Sequence, residues 1–378
     1  MFYGRDFAGG ASHSMADLVS GLVAEGHEVH ALLSATPKRI MAKHLAKNGV
    51  VCHNSTVPWI VYDATQRSFP TVLKNLVKWV WWLLTCVISE AHALWVIKRH
   101  GIQVVHIGGA VITTGCFAAR IARVPVVWHI REYVEEGHGL AYFPGSGFYR
   151  KASRASLLIC VSDGLREKFA VRCAKTPAIT IYNGISVPEV RPAPVMATGP
   201  FRLMFAGGIN ASKGLFLLLD AIRLAQLGSS LTLDVFGRSN LEQRGALARY
   251  LRDNGLESCV SYHGMTSTLA QEYVSHDALV VASVREAFGR VTAEAMILGC
   301  LVVGSDSGGT GELLADGRGL LFESGDVESL ADSLRRCVAR DPQNERIRER
   351  ARVFASQNFT TSAYVNAVDA AYKGLDRE

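Results

Sequence analysis

The chain has 378 residues, enough for two domains of ordinary size, and its 49% hydrophobic and 20% charged residues exclude a disordered protein. A formal charge of +6 permits attraction to anionic lipid or phosphorylated substrates, but the long basic runs of a nucleic-acid protein are absent, so no nucleic-acid partner is expected. Eight cysteines are scattered singly, with no C-x-x-C pair and no Cys/His cluster at zinc spacing, which suggests buried or free thiols in a reducing compartment.

Residues 1–10 are polar and glycine-rich, unlike a signal peptide. Only residues 1–3 precede G-R-D-F-A-G-G, so either the first strand is very short or the sequence begins inside it. Gly9 and Gly10 precede a helix expected over 11–25, whose N-terminus is a candidate contact for a diphosphate or an acceptor. Apolar runs of five to seven residues then alternate with amphipathic stretches, the pattern of repeated βα units and parallel sheets. In the first half, strands are expected over 27–33, 50–52, 103–107, 124–129, 156–161 and 178–182.

Residues 72–100 differ in kind. Trp79, Trp81, Trp82 and Trp95 lie among aliphatics, with Lys74, Lys78, Lys98 and Arg99 at the two ends. Lys78, Glu90 and His92 interrupt the run and argue against a membrane span. The default is a helix buried in the N-terminal domain. The alternative is an interfacial helix with tryptophans at headgroup level and basic residues against anionic lipid.

V-V-W-H-I-R-E, 126–132, reads as a strand ending in polar residues, and ligands of doubly wound sheets sit outside the carboxyl ends of strands. His129 is therefore a candidate site residue, with a satisfied core histidine as the other reading. Arg131 and Glu132 either pair with each other or face an acceptor. Asn183-Gly184 closes the next strand as a turn. R-P-A-P-V-M-A-T-G-P, 191–200, reads as a linker.

Strands in the second half are expected over 201–206, 231–236, 260–263, 278–282, 301–304 and 320–322, with a closing helix over 362–375. F-R-L-M-F-A-G-G-I-N-A-S-K-G-L, 201–215, is a strand, a glycine turn, a lysine and a helix. Gly207 and Gly208 let the backbone approach a phosphate, and Lys213 is a mobile point charge suited to a diphosphate. Further on, S-V-R-E-A-F-G-R-V-T-A-E-A-M puts Glu286 in a glycine-containing loop and Glu294 one turn into the next helix, with seven residues between them. A glycine loop leading into a helix start is an anion site. Two carboxylates beside it make sense for a ligand that also carries hydroxyls, as a nucleotide sugar does.

This stretch resembles the Glu-x7-Glu signature of the family 4 retaining glycosyltransferases (glycosyl transferases group 1), and the flanking F-G, G-S-D-S-G-G and E-L-L fall in register. The likeness covers nearly the whole chain, is strongest over 201–322 and loosest over 34–100. It implies an α/β protein of GT-B architecture, two Rossmann-like doubly wound domains facing a cleft: 1–190 on the acceptor side, 191–358 binding the nucleotide sugar, and 359–378 crossing back to the N-terminal domain. It implies that Glu286 holds the donor sugar's hydroxyls, Phe288 and Gly289 offer backbone amides near the sugar and β-phosphate, Glu294 accepts from the ribose, and a histidine placed like His129 bonds the sugar. Core packing is the other reading of Phe288. The family's usual arginine position is Gly208 here, so the diphosphate is left to Lys213 and backbone amides unless Arg290 or Arg238 substitutes. Glu312 is expected in the first turn of the helix opened by Gly308, as a cap rather than a ligand.

The expected activity is sugar transfer from a nucleotide-diphosphate sugar to a carbohydrate or lipid-linked hydroxyl acceptor, in bacterial surface polysaccharide or glycolipid assembly. No cofactor and no metal are expected. The expected location is cytoplasmic, with peripheral contact at the inner face of the cytoplasmic membrane through 72–100. G-x-G-x-x-G and G-x-x-x-x-G-K-[S/T] are absent, which disfavours nicotinamide and P-loop enzymes. A non-catalytic GT-B partner subunit and a sugar-nucleotide 2-epimerase are the alternatives.

Overall fold

The computed structural model describes residues 2–5, 10–34, 40–63, 69–138, 140–142, 147–190 and 199–375. They form two compact units, Met1–Gly184 with Thr361–Glu378, and Ile185–Thr360. The linker stretch 191–198 lies outside the described residues.

The first unit contains β1 (Phe2–Arg5), α1 (Gly10–Ala24), β2 (His30–Ser34), α2 (Ile40–Lys47), β3 (Val51–Ser55), β4 (Val61–Asp63), α3 (Phe69–His100) and β5 (Val105–Ile107). It continues through α4 (Cys116–Ala122), β6 (Val126–Ile130), α5 (Val134–His138), β7 (Leu140–Tyr142), α6 (Gly147–Ala152), β8 (Leu157–Cys160), α7 (Asp163–Arg172) and β9 (Ala178–Thr180). Its main sheet runs β3-β2-β1-β5-β6-β8-β9, and every pairing is parallel. Strands β4 and β7 make a separate antiparallel pair that the apolar pattern does not announce.

The second unit contains β10 (Phe201–Ala206), α8 (Leu215–Leu224), β11 (Leu231–Phe236), α9 (Leu241–Asp253), β12 (Val260–Gly264), α10 (Leu269–Ser275) and β13 (Ala278–Val281). There follow α11 (Arg290–Ile297), β14 (Leu301–Ser305), α12 (Gly308–Leu314), β15 (Leu320–Phe322), α13 (Val327–Val338) and α14 (Gln343–Asn358). Its sheet runs β12-β11-β10-β13-β14-β15, again all parallel. The central strands are buried on both faces, which is why they read as unbroken apolar runs. Leu203, Phe205, Leu233, Val235, Val280 and Val303 meet Leu218, Leu219 and Ile222 of α8 and Leu330 and Leu334 of α13 in one core.

The last helix, α15 (Thr361–Leu375), groups with the first unit. Tyr364, Val365 and Val368 enter a core with Leu18 and Leu22 of α1 and Val127, Leu157 and Ile159 of the sheet.

Helix α3 is neither wholly core nor wholly surface. Ser89, Ala93, Val96 and Ile97 are buried, whereas Val80, Leu84, Val87, Ile88 and the two indoles of Trp81 (70% exposed) and Trp95 (55%) face solvent. Trp82 is half-buried and its Nε1–H donates to the Trp59 carbonyl at 2.8 Å. The side chain of Trp79 lies outside the described residues. Within α3, Val80–His100 is long and apolar enough to cross a membrane, with mean hydropathy 1.6. One side of it is nevertheless committed to the core of the unit, which a lipid-surrounded span would not be. The expectation of a helix buried all round is thus corrected: one face is packed and the other is open.

Candidate functional site

β10 and β13 lie side by side at the middle of the second unit's sheet, and their successors diverge, β11 to one side and β14 to the other. A crevice opens outside the carboxyl ends of two such strands, and ligands of doubly wound sheets bind there. The loop after β10 carries Lys213 and the loop after β13 carries Glu286.

The two loops are pressed together by glycine. Gly214 has φ +73°, and a Cβ there would lie 2.0 Å from the Ala282 carbonyl oxygen, so only glycine lets α8 start this close to β13. Val284 N–H donates to the Ser212 carbonyl at 2.9 Å, a second tie between the loops. On the far side, Glu286 forms a parallel bridge with Gly308, and Gly309 N–H donates to the Glu286 carbonyl at 2.8 Å. A Cβ on Gly308, whose φ is +56°, would meet that same carbonyl oxygen at 2.3 Å.

The backbone of Glu286 is therefore fixed, and its side chain is held as well. Lys213 Nζ donates to Glu286 Oε1 at 2.5 Å, and the Ser283 hydroxyl donates to the same oxygen at 2.7 Å. The pair is part-exposed, 36% for the lysine side chain and 19% for the glutamate, so an incoming ligand can reach both. Glu294 lies inside α11, as expected, with Oε1 accepting from Arg290 Nε at 2.8 Å and Oε2 accepting from the Tyr273 hydroxyl at 3.1 Å. Burial, with the Glu294 charge next, pushes the Tyr273 phenol well above its ordinary range, so it stays a donor to that carboxylate. Arg290 is thereby turned toward Glu294.

Gly207 donates its N–H to the Phe236 carbonyl at 2.9 Å, which prolongs the β10–β11 ladder. Gly208 faces the Arg238 carbonyl, and Ile209 N–H donates to that oxygen at 3.3 Å, so Arg238 stands beside the position where the family's arginine would be. The ring of Phe288 is buried and meets Phe359 edge to face at 5.5 Å, a packing role. Gly289, at φ +87°, is the residue before α11. Glu312 falls beyond the first turn of α12, so it does not act as the expected N-terminal acid.

In the first unit, Gly10 is the first residue of α1, and Gly9 lies outside the described residues. His129 is fully buried in β6, paired in register with Ile159. Its Nδ1 lies 3.1 Å from His106 Nε2, and His106 Nδ1 lies 2.6 Å from the Tyr372 hydroxyl. Alternation along the strand turns the imidazole onto the face covered by α15, where it meets the Tyr364 ring, rather than out of the strand end. Its expected place at a ligand is thus corrected to a core position, where its Nε2 is buried without a hydrogen-bond partner among the described residues rather than satisfied. Arg131, just past the strand end, donates to Asn183 Oδ1 at 3.1 Å and to the Tyr364 hydroxyl, and Glu132 accepts from Ala110 N–H at 2.8 Å. Ser283 and Tyr273 are the two partners that sequence reasoning missed. Ser283, three residues before Glu286 in the same loop, carried a readable signal; Tyr273 on α10 carried none.

Two family models match the chain: one described as Glycosyltransferase Family 4 over residues 8–188, and one described as Glycosyl transferases group 1 over residues 200–340. A phosphatidyl-myo-inositol mannosyltransferase of Mycobacterium leprae is 25% identical over 355 residues, covering 91% of this chain and 87% of that protein. A lipopolysaccharide 1,2-N-acetylglucosaminetransferase of Salmonella typhimurium is 31% identical over 169 residues, 42% of this chain and 44% of that protein. Among solved structures, Anabaena HepE in complex with UDP and glucose matches with a TM-score of 0.74 at 22% identity, over 99% of this chain and 98% of that one.

Proposed function

The chain belongs to the family 4 glycosyltransferases and has their GT-B fold, and from that premise we propose that it transfers a sugar from a nucleoside diphosphate to a hydroxyl acceptor with retention of configuration. The observation that carries the reading is the contact of Lys213 with Glu286 at the carboxyl ends of two adjacent central strands. A cation and a carboxylate held together there match the two halves of a sugar diphosphate. Lys213 neutralises the leaving diphosphate, Glu286 holds the sugar hydroxyls, and Glu294 accepts from the ribose. The acceptor oxygen bonds to the anomeric carbon on the face from which the diphosphate departs, and the leaving phosphate oxygen takes the acceptor's proton. Fixed positioning and charge stabilisation supply the rate, with no enzymic nucleophile.

The mannosyltransferase and lipopolysaccharide relatives, by their names, act on lipid-anchored acceptors, which favours a glycolipid or surface-polysaccharide acceptor. The open face of α3 supports contact with the membrane that holds such an acceptor. Beside that face, Phe117 is 62% exposed, and Arg120, Lys151 and Arg154 line a cavity of about 210 Å³ with Phe117 and Glu90. Apolar and basic groups in one place suit the interface of an anionic bilayer. The location proposed is the inner face of the cytoplasmic membrane.

The test is a thermal-shift and hydrolysis screen against common nucleoside diphosphates and their sugars, the uridine series first because HepE was solved with UDP. One base series should raise the melting temperature, and one sugar of that series should be hydrolysed with its anomeric configuration kept. An inverted product rejects retention, and no shift with any nucleotide rejects the donor site.

A further inference from the structure

We infer that the first unit carries a binding site for one divalent transition-metal ion of the zinc class, formed by His30, His53 and His100. Their ligand nitrogens all lie within 4.8 Å of one another. His30 opens β2, His53 lies on the neighbouring edge strand β3, and His100 closes α3. The register pairs His53 with Leu32, two residues along from His30, so both histidines project from the same face of the sheet.

The tautomers favour a ligand role. Glu28 Oε1 lies 2.9 Å from His30 Nε2 and accepts its proton in a hydrogen bond. That leaves a lone pair on His30 Nδ1, which lies 2.9 Å from His53 Nε2. A carboxylate orienting one imidazole so that its other nitrogen faces inward is the usual outer support of a metal-bound histidine. Ligand nitrogens around a tetrahedral zinc stand roughly 3.3 Å apart, from bonds of about 2.0–2.1 Å, so the His30–His53 spacing needs only a slight opening. On binding, the proton of His53 Nε2 passes through solvent to its Nδ1, with no net release. His100 is exposed and its ring centroid is 4.3 Å from that of His30, so side-chain rotation brings it to the ion. The carbonyl end of α3 adds a favourable field for a cation. Three imidazoles suit zinc, copper, nickel or iron better than magnesium or calcium. His30 and the end of α3 lie at the opposite end of the sheet from the strand ends where ligands of such folds bind, so the ion clamps the edge strand and takes no part in transfer.

The experiment uses the full chain without an affinity tag. Cobalt(II) is titrated and read by its visible d–d absorption, then zinc is titrated by calorimetry. Wild type should saturate at one ion per chain with tetrahedral cobalt bands. His53→Ala and His100→Ala, both away from the deep core and checked for fold by circular dichroism, should each weaken binding by more than tenfold, and Glu28→Gln by roughly tenfold, as removal of an outer carboxylate does. His44→Ala, on α2, should change nothing. Absence of saturable binding in wild type, or affinity unchanged in His53→Ala and His100→Ala, overturns the site.

Discussion

Lys213 and Glu286 are 73 positions apart in the sequence, and their charged atoms are 2.5 Å apart in the structure. In this state the lysine's charge is spent on the carboxylate. Under the proposed function, a bound diphosphate would offer it a stronger partner and free Glu286 for the sugar. Lys213→Ala should therefore raise the donor Michaelis constant and weaken nucleoside diphosphate binding in a calorimetric titration. Glu286→Gln should retain nucleotide affinity and lose roughly a hundredfold in turnover, the scale of one transition-state electrostatic contact. Unchanged diphosphate affinity in the first variant, or wild-type turnover in the second, refutes the corresponding role.

Glu294→Ala should weaken nucleotide binding more than it lowers turnover, because the ribose is remote from the bond that breaks. Tyr273→Phe should reproduce part of the loss, since the Tyr273 hydroxyl bonds Oε2 of that carboxylate. Equal affinity of Glu294→Ala for a nucleoside diphosphate and for its bare phosphate analogue, matching wild type for both, would show that the residue does not touch ribose.

Acid should destabilise the first unit through His106 and His129. Burial, with the charge of Arg131 next, holds both imidazoles well below their ordinary range. Below about pH 6.5 the unfolded chain takes up protons that the native core refuses, so stability falls as pH falls, by up to roughly 1.4 kcal/mol per pH unit for each histidine. Urea midpoints at about pH 7.5 and about pH 5.5 measure this, and the difference should shrink in a His106→Gln/His129→Gln variant that still folds. An undiminished difference rejects the assignment.

Transfer should persist in a chelator. Under the proposed function the charge of the leaving group would fall to Lys213, and no Asp-x-Asp triad occurs in the loops that form the site. A chelator should instead lower the melting temperature by stripping the histidine cluster. Complete loss of initial rate in EDTA, restored by magnesium or manganese, would contradict the proposed chemistry.

The chain should float with liposomes containing anionic lipid, and salt should weaken the association. A Trp81/Trp95→Ser variant removes the two most open described indoles of α3 without touching the Trp82–Trp59 hydrogen bond, and it should lose most of the flotation. Equal flotation of both proteins, or none by wild type, rejects the membrane role of α3.

The second unit was largely legible in the sequence. Strands 201–206, 231–236 and 320–322 are found where the apolar runs place them, and the central strands β13 and β14, buried on both faces, keep an unbroken hydrophobic signal. Glu286 and Lys213 were legible by their glycine loops, though not their mutual contact, which depends on strand order. The β4–β7 pair was not legible, since it lies outside the repeating βα order that marks 320–322 and is too short to show the alternation of an antiparallel pair. His129 misled because its place near a strand end was read without its side: within β6 it alternates onto the α15 face. The histidine cluster was hidden altogether, as its members come from two strands and a helix end that no local spacing connects.

The position of α15 bears on the order of assembly during synthesis. Tyr364, Val365 and Val368 complete a core whose other walls, α1, Val127 and Ile159, have been translated long before. The second unit, whose described strands and helices end at Asn358, has all its own material before that point. The nascent N-terminal unit thus carries an unsealed apolar face through most of translation, and it closes only when residues 361–375 have left the ribosome.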